Sequence, residues 1–323
     1  SGFAAEAAHI AKTQPKGIPV KLMWTREDDV QGGRYRPLTV HRFEGALNDN
    51  GDISAWDHTI ATQSIVAGSP FAGMIQNGID PTSIEGAQEP CYDLSDFRLS
   101  LHTMQNKVPV LWWRSVGHTH TAYAVEVMMD YLLEKGGKDP YKGRMALMPE
   151  HPRDQGVLKA AYELSQKDKP AKDSARGIAV HRSFGSYVAQ VAEVTKDSNG
   201  LPKVSKVWCA VDCGLAVNPD IVKAQMEGGI GFGLSSIFHE ELSLNEGGEI
   251  AQTNFDSYQL LRIQEMPKVE TIIVQTEFPP TGVGEPGLPP IGPAVANAWR
   301  RLTGQMVTRL PMIPEVKRMN MDA

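Results

Sequence analysis

The sequence predicts an α+β protein made of two mixed, layered α/β units. Three observations carry this expectation. Strand-like runs give way to helical runs and then to strand-like runs again along the 323 residues. A charged, weakly apolar stretch from Ser165 to Arg176 separates the two halves and is the best linker candidate. Apolar residues make up 41% of the chain, enough for an ordinary core in each half. The first unit is therefore expected over residues 1–168 and the second over 177–323, with 165–176 as the linker.

Each element has its own signal. Ser1–Ile10 reads as helix interior, with Ala4, Ala7, Ala8 and Ala11 at helical spacing. Val20–Trp24 reads as a buried strand. Phe43 to Ile60 reads as a hairpin turning at Asn48-Asp49-Asn50-Gly51. Residues 67–92, rich in Gly, Pro and Ser, show no period. Ala124, Val127, Met128, Tyr131 and Leu132 place a helix over Thr121–Lys135, ended by Gly136-Gly137. Asp139-Pro140 opens a second helix as N-cap and first residue, and a third covers Arg153–Gln166. Tyr187–Thr195 and Lys203–Val211 form a hairpin around Asp197-Ser198-Asn199-Gly200. Asn218-Pro219 caps a helix reaching His239. A further hairpin turns at 245–248, a strand occupies Val269–Val274, and a last helix spans Pro293–Leu302 with Gly304 at its end.

Composition narrows the function. The net charge of −6 speaks against a general nucleic-acid binder. No apolar run approaches the roughly 18 residues of a membrane span. Cys91, Cys209 and Cys213 lack zinc or iron–sulfur spacing. His118-Thr119-His120 has no third ligand following it and reads as pocket lining or helix entry. Cys213, with no nearby histidine to activate it, reads as a small buried side chain.

The most informative stretch is Thr281-Gly282-Val283-Gly284-Glu285-Pro286-Gly287. Pro286 holds Glu285 out of the α region, so the carboxylate leaves a stiff corner and can act as a positioned base. Alone, this would read as a surface turn. It comes with Trp112-Trp113-Arg114-Ser115-Val116-Gly117, with Val211-Asp212-Cys213-Gly214, with Ala224-Gln225-Met226-Glu227-Gly228-Gly229-Ile230-Gly231-Phe232-Gly233, and with Pro289-Pro290-Ile291-Gly292-Pro293-Ala294. The glycine run at 228–233 lies inside a helical pattern, which excludes a dinucleotide fingerprint and an NAD-linked dehydrogenase. Either a ligand or tight packing explains those glycines.

In this order and spacing the motifs resemble the molybdopterin-binding large subunits of the xanthine dehydrogenase and aldehyde oxidase superfamily. The isoquinoline 1-oxidoreductase β-subunit type, which includes bacterial aldehyde dehydrogenases, is the nearest in pattern. The resemblance implies water-driven hydroxylation of an aldehyde or an N-heterocyclic aromatic, with molybdenum as electron sink. It implies Glu285 as catalytic base and Arg114 as the group that stabilises charge on the substrate; a structural Arg–carboxylate pair is the alternative for Arg114. It implies cofactor contacts from Gln225, Gly228, Thr281, Gly284 and Arg144, and no protein ligand to the metal. Thr281 departs from the mammalian members, which carry lysine there. The cofactor implied is molybdopterin, with a cytosine dinucleotide form as one option. The partners implied are an N-terminal part of the large subunit, a [2Fe–2S] subunit and a haem c subunit. The chain is expected to be the C-terminal part of such a subunit, in the periplasm, with the cytoplasm as alternative. The rival reading is a non-catalytic assembly subunit of the same complex.

Overall fold

In the computed structural model residues 2–321 are described. They form two compact units, one of 2–33 with 241–259, the other of 34–240 with 260–321. The first holds α1 (Gly2–Lys12) and α2 (Arg26–Gly32). The helix expected over Ser1–Ile10 is present from Gly2; Ser1 lies outside the described residues. A capping box starts α2: the Thr25 hydroxyl accepts from the Asp28 N–H at 3.3 Å, and the Asp28 carboxylate accepts from the Thr25 N–H at 2.9 Å. Val20–Trp24 is not the expected strand, and none of its residues is buried. Trp24 serves helix contacts instead. Trp24 meets Phe3 edge-on at 4.8 Å and its indole N–H donates to Glu6 at 3.0 Å. The turn at 245–248 closes only an isolated bridge between Leu244 and Ile250, not a hairpin of two strands.

The second unit opens with β1 (Thr39–Leu47), β2 (Ile53–Gln63) and β3 (Phe97–Met104), ordered β1-β2-β3 in one sheet. β1 and β2 are the expected hairpin, extended at both ends. Its turn is closed by the Asn48 side-chain oxygen, which accepts from the N–H groups of Asn50 and Asp52 at 2.9 Å each. β3 joins β2 in parallel; the alternation of Phe97, Leu99 and Leu101 is its signal in the sequence. Between these strands, residues 67–92 carry short 3-10 turns and one isolated bridge, Gln76 to Ile79.

Three helices follow, α3 (His118–Lys135), α4 (Pro140–Ala146) and α5 (Pro152–Gln166). Asp139 caps α4 by accepting from the N–H groups of Tyr141 and Lys142 at 3.1 and 2.8 Å. Then come β4 (Ala175–Ser183), β5 (Ser186–Lys196), β6 (Pro202–Asp212), α6 (Pro219–Phe238), β7 (Lys268–Ile273), α7 (Ile291–Thr303) and α8 (Met312–Met321). The segment 165–176 includes the end of α5 and the start of β4, and both sides of it lie in the second unit.

The second sheet runs β4-β5-β6-β7. Its first three strands are antiparallel neighbours, and β7 returns parallel to β6 through α6. Both faces are covered. Val188, Ala192, Val207 and Cys209 join the core under α6 and α7, while Ala189, Val191, Trp208 and Ala210 join the core under α3 and α5. A strand buried on both faces shows no alternation, which is why β4 is hidden in the sequence. The parallel β6–β7 pair also sets the position of the site: the segments that follow both strands leave the sheet at the same end.

Candidate active site

The Glu285 loop begins where β7 ends and is tied to the segment after β6. The Leu215 N–H donates to the Phe278 carbonyl and the Thr281 N–H to the Cys213 carbonyl, each at 2.9 Å. Asp212 anchors this junction. It is 1% exposed, takes two bonds of 2.7 Å from Arg153, and accepts from the Gly214 N–H at 2.9 Å and the Thr276 hydroxyl at 2.8 Å. Burial pushes its carboxyl up, and these hydrogen bonds outweigh burial and hold it below the usual range. Gly214 has φ +70°, and a Cβ there would lie 2.3 Å from the Pro279 carbonyl oxygen. Cys213 is 2% exposed and its thiol is raised by burial, so it packs and does not react.

Glu285 is half-buried and faces the loop before α3. The Ser115 N–H donates to Glu285 Oε1 at 3.2 Å, and the Ser115 hydroxyl donates to the Glu285 carbonyl at 2.9 Å. Two non-glycine residues of this loop are left-handed, Ser115 at φ +69° and Val116 at φ +51°. For a β-branched residue this is a strained conformation, costing roughly 1–3 kcal/mol. The surroundings enforce it. The Val116 N–H reaches the Trp113 carbonyl at 2.7 Å, the Thr119 hydroxyl reaches the Arg114 carbonyl at 2.7 Å, and the Gly117 N–H reaches Glu85 Oε1 at 2.8 Å. The result aims the Ser115 N–H at the carboxylate of Glu285.

α6 supplies the opposite wall. Gln225 and Gly228, one turn apart, are both exposed on it, and nothing lies within 4 Å of where a Gly228 Cβ would stand. The Gln225 amide nitrogen is 3.7 Å from the Cβ position of Gly284. Gly229 packs against Gly287, whose backbone carbon is 3.1 Å from the Gly229 Cβ position, and Gly233 packs against Ile291. The buried glycines of this run thus serve close packing between α6 and the Glu285 loop, whereas Gly228 leaves open surface. Thr281 is half-buried; its hydroxyl is 2.7 Å from that of Ser186.

Arg114 is exposed, and its guanidinium lies 4.4 Å from the Phe232 ring centre. Phe232 in turn stacks on Trp113 at 4.9 Å. The aromatic partner is therefore on α6, not the adjacent Trp112. Arg114 forms no carboxylate pair among the described residues.

Arg144 is a correction. Instead of contacting a cofactor it is fully buried and committed to the core. Its Nε donates to Glu126 at 3.1 Å, Nη1 to Asp130 at 2.8 Å and to the Pro140 carbonyl at 3.1 Å, and Nη2 to the Glu126 carbonyl at 3.1 Å. No face is left for an anionic ligand. Asp130 also receives Arg300 and Arg301 at 3.0 and 2.6 Å.

His118 and His120, expected as pocket lining or helix entry, each belong to a row of histidines. His118 Nδ1 lies 2.9 Å from His181 Nε2, and His120 Nδ1 lies 3.1 Å from His41 Nε2, whose Nδ1 is 2.8 Å from His58 Nε2. Burial first, then Arg182, brings His118 down to about 4. These rings bond to one another, and no group of three or more ligating side chains able to hold a metal occurs among the described residues. Glu85 is a further residue that sequence reasoning misses. Burial first, then Asp80 and Glu285, raises its carboxyl to about 7. Glu85 belongs to an irregular segment, so no periodicity could have marked it.

Two family models, each described as a molybdopterin cofactor-binding domain, match residues 2–148 and 145–267. The β-subunit of isoquinoline 1-oxidoreductase from Brevundimonas diminuta is 35% identical over 98% of this chain and 41% of its own length. A nicotinate dehydrogenase subunit of Pseudomonas putida is 28% identical over 92% of this chain and 27% of its own. A membrane-bound aldehyde dehydrogenase of Gluconacetobacter polyoxogenes, whose name gives pyrroloquinoline quinone as cofactor, is 28% identical over 95% of this chain and 43% of its own. The chain thus spans less than half the length of these curated relatives. The crystal structure of quinoline 2-oxidoreductase from Pseudomonas putida 86 shares the fold at a TM-score of 0.78 and 13% identity, covering 93% of this chain and 64% of that one.

Proposed function

The chain belongs to the molybdopterin cofactor-binding family, and from that premise we propose that it carries the base side of the active site of a molybdenum hydroxylase. The substrate class proposed is an aldehyde or an N-heterocyclic aromatic. The observation that carries the reading is the Glu285 carboxylate, fixed through one oxygen by the Ser115 N–H while its other oxygen makes no hydrogen bond among the described residues. The neighbouring groups suit a pterin edge. An exposed amide at Gln225 can donate and accept together, and Gly228 and Gly284 leave backbone open beside it. The quinone cofactor in one relative's name is not adopted, because both matching domains are of the molybdopterin type.

When bound, the molybdenum cofactor supplies the oxygen nucleophile and the electron sink. The protein supplies the rest. Glu285 takes up the proton of the attacking oxygen through its unbonded oxygen. The Ser115 bond and the strained turn hold the carboxylate still, so no reorganisation is needed at the moment of transfer. Arg114, steadied on Phe232, stands ready for negative charge growing on the substrate. Gln225 and Gly228 orient the cofactor. The cytosine dinucleotide form, the [2Fe–2S] and haem c subunits, the rest of the large subunit and a periplasmic location complete this proposal. They are tested by cofactor extraction, by iron assays on each co-purifying chain and by cell fractionation.

The decisive experiment is Glu285→Gln in the purified complex, with molybdenum content measured alongside turnover on an artificial acceptor. Turnover should fall by about 10²–10⁴-fold at unchanged molybdenum. A loss smaller than threefold refutes the base assignment and favours the assembly-subunit reading.

A further inference from the structure

Glu285 and Glu85 are bound to the same strained turn. One accepts from the Ser115 N–H, the other from the Gly117 N–H two residues on. Two residues span at most about 7 Å, so these anchor points are close. A Cβ on Gly117 would lie 2.1 Å from the Thr82 carbonyl oxygen and 2.8 Å from Glu85 Cγ, so position 117 admits no side chain and the turn packs directly on Glu85.

From Glu85 a path leads away from Glu285. Its second oxygen is 3.7 Å from His118 Nε2, and the other nitrogen of His118 is 2.9 Å from His181 Nε2. Gly86, at φ +81°, lies against both rings: its Cβ position is 2.8 Å from His118 Nδ1 and 2.7 Å from His181 Cε1. No side chain fits there, and the backbone seals the junction. Glu85, His118 and His181 all line a cavity of about 190 Å³, which extends to the exposed Glu89 and to Arg182.

We infer that Glu85, His118 and His181 form the route by which the proton collected by Glu285 leaves the site for this cavity. This rests on the reading of Glu285 as base. Each turnover leaves one proton on Glu285, and Glu285 must lose it before it can act again. No direct contact joins Glu285 to Glu85, and Glu85 stands 3.7 Å from His118, so water carries the proton across both gaps; Glu85 accepts it and releases one to His118 Nε2, His118 releases one from Nδ1 to His181 at 2.9 Å, and His181 releases one from its other nitrogen to water in the cavity. One passage returns Glu85 to its starting state and leaves both rings in the opposite tautomer, which return of each N–H to its first nitrogen resets before the next proton; no oxidant or reductant is involved. Burial keeps both rings uncharged at neutral pH, so each offers one N–H and one lone pair, as a relay requires. The charged groups facing Glu85 are Asp80 and Glu285, with Arg182 beyond the histidines; burial, Asp80 and Glu285 set its ionisation at about 7, where a carboxylate can both take and give a proton.

The test uses the intact complex and three variants, Glu85→Gln, Glu85→Asp and Glu285→Gln. Glu85→Gln keeps an oxygen acceptor for the Gly117 N–H. It should retain molybdenum and reduce the metal in a first, single turnover within about twofold of the parent rate. Steady-state turnover should fall about tenfold or more, and Glu85→Asp should recover most of it. Independently of activity, infrared difference spectra should show one protonated-carboxyl band, present at pH 6 and gone at pH 8, that disappears in Glu85→Gln, beside the band of Asp154, which both proteins share. Unchanged steady-state turnover, equal loss in both phases, or persistence of that infrared band in Glu85→Gln overturns the relay. If Glu285→Gln still performs a normal first turnover, the base assignment itself has failed and the relay falls with it. Loss of the first turnover in Glu285→Gln beside an unaltered Glu85→Gln enzyme condemns the relay alone.

Discussion

Replacing Arg144 with methionine should destabilise the protein strongly and leave the chemistry of any molecule that still folds intact. Arg144 has no accessible surface, and its hydrogen bonds end on Glu126, Asp130 and the Pro140 carbonyl. Methionine fills similar volume but removes the charge shared by both buried carboxylates. Removing one partner of a buried ion pair costs about 3–5 kcal/mol. Asp130 would keep Arg300 and Arg301, and Glu126 would keep the Tyr92 hydroxyl and the Val180 N–H. The lower part of that range, about 3 kcal/mol, is therefore expected. At roughly 2–4 °C per kcal/mol for a body of this size, Tm should drop by about 6–12 °C. Calorimetry of the complex, with molybdenum content measured before heating, checks this. Adding Glu126→Gln should return part of the loss, because burial already pushes the Glu126 carboxyl up and the amide carries no charge to strand. An unchanged Tm together with lost molybdenum would mean that Arg144 holds the cofactor after all, and the reasoning from burial would be wrong.

Gly214→Ala places a methyl 2.3 Å from the Pro279 carbonyl at φ +70°, so it should cost about 1–3 kcal/mol and also displace the Glu285 loop, read as lowered turnover beside a lowered Tm; a variant with parental values in both would refute the clamp. Asp154 is 2% exposed, one of its oxygens has no partner, and burial raises its carboxyl to about 6. A raised carboxyl stabilises the fold below its ordinary range, and that contribution is lost as pH climbs from about 4 to about 6. Asp154→Asn should accordingly gain on the order of 1–3 kcal/mol at pH 7 and nothing at pH 4, measured by urea unfolding; an equal effect at both pH values contradicts this.

The sequence by itself determined the α+β class, the capped helices at Asp139-Pro140 and Asn218-Pro219, both main hairpins and the stiff corner at Glu285. Those signals are local: a cap, a turn residue or a proline acts within a few residues of itself. Motif order along the chain was likewise enough to reach the molybdopterin family. What stayed hidden depends on neighbours distant in the chain. β4 was invisible because both of its faces are covered. Val20–Trp24 reads as a strand, yet Trp24 stands against a helix, since nothing in the pattern says which surface it meets. Arg144 misleads because a guanidinium at that position is equally suited to a phosphate or to two carboxylates. Only the packing of α4 on α3, which brings Glu126 and Asp130 to it, decides between them. Glu85 and Glu285, 200 residues apart by their numbers, share one turn only because the strands after which they fall are folded to it. Burial and close approach are properties of the folded whole, and they set both the ionisation of Glu85 and the strain at Ser115 and Val116.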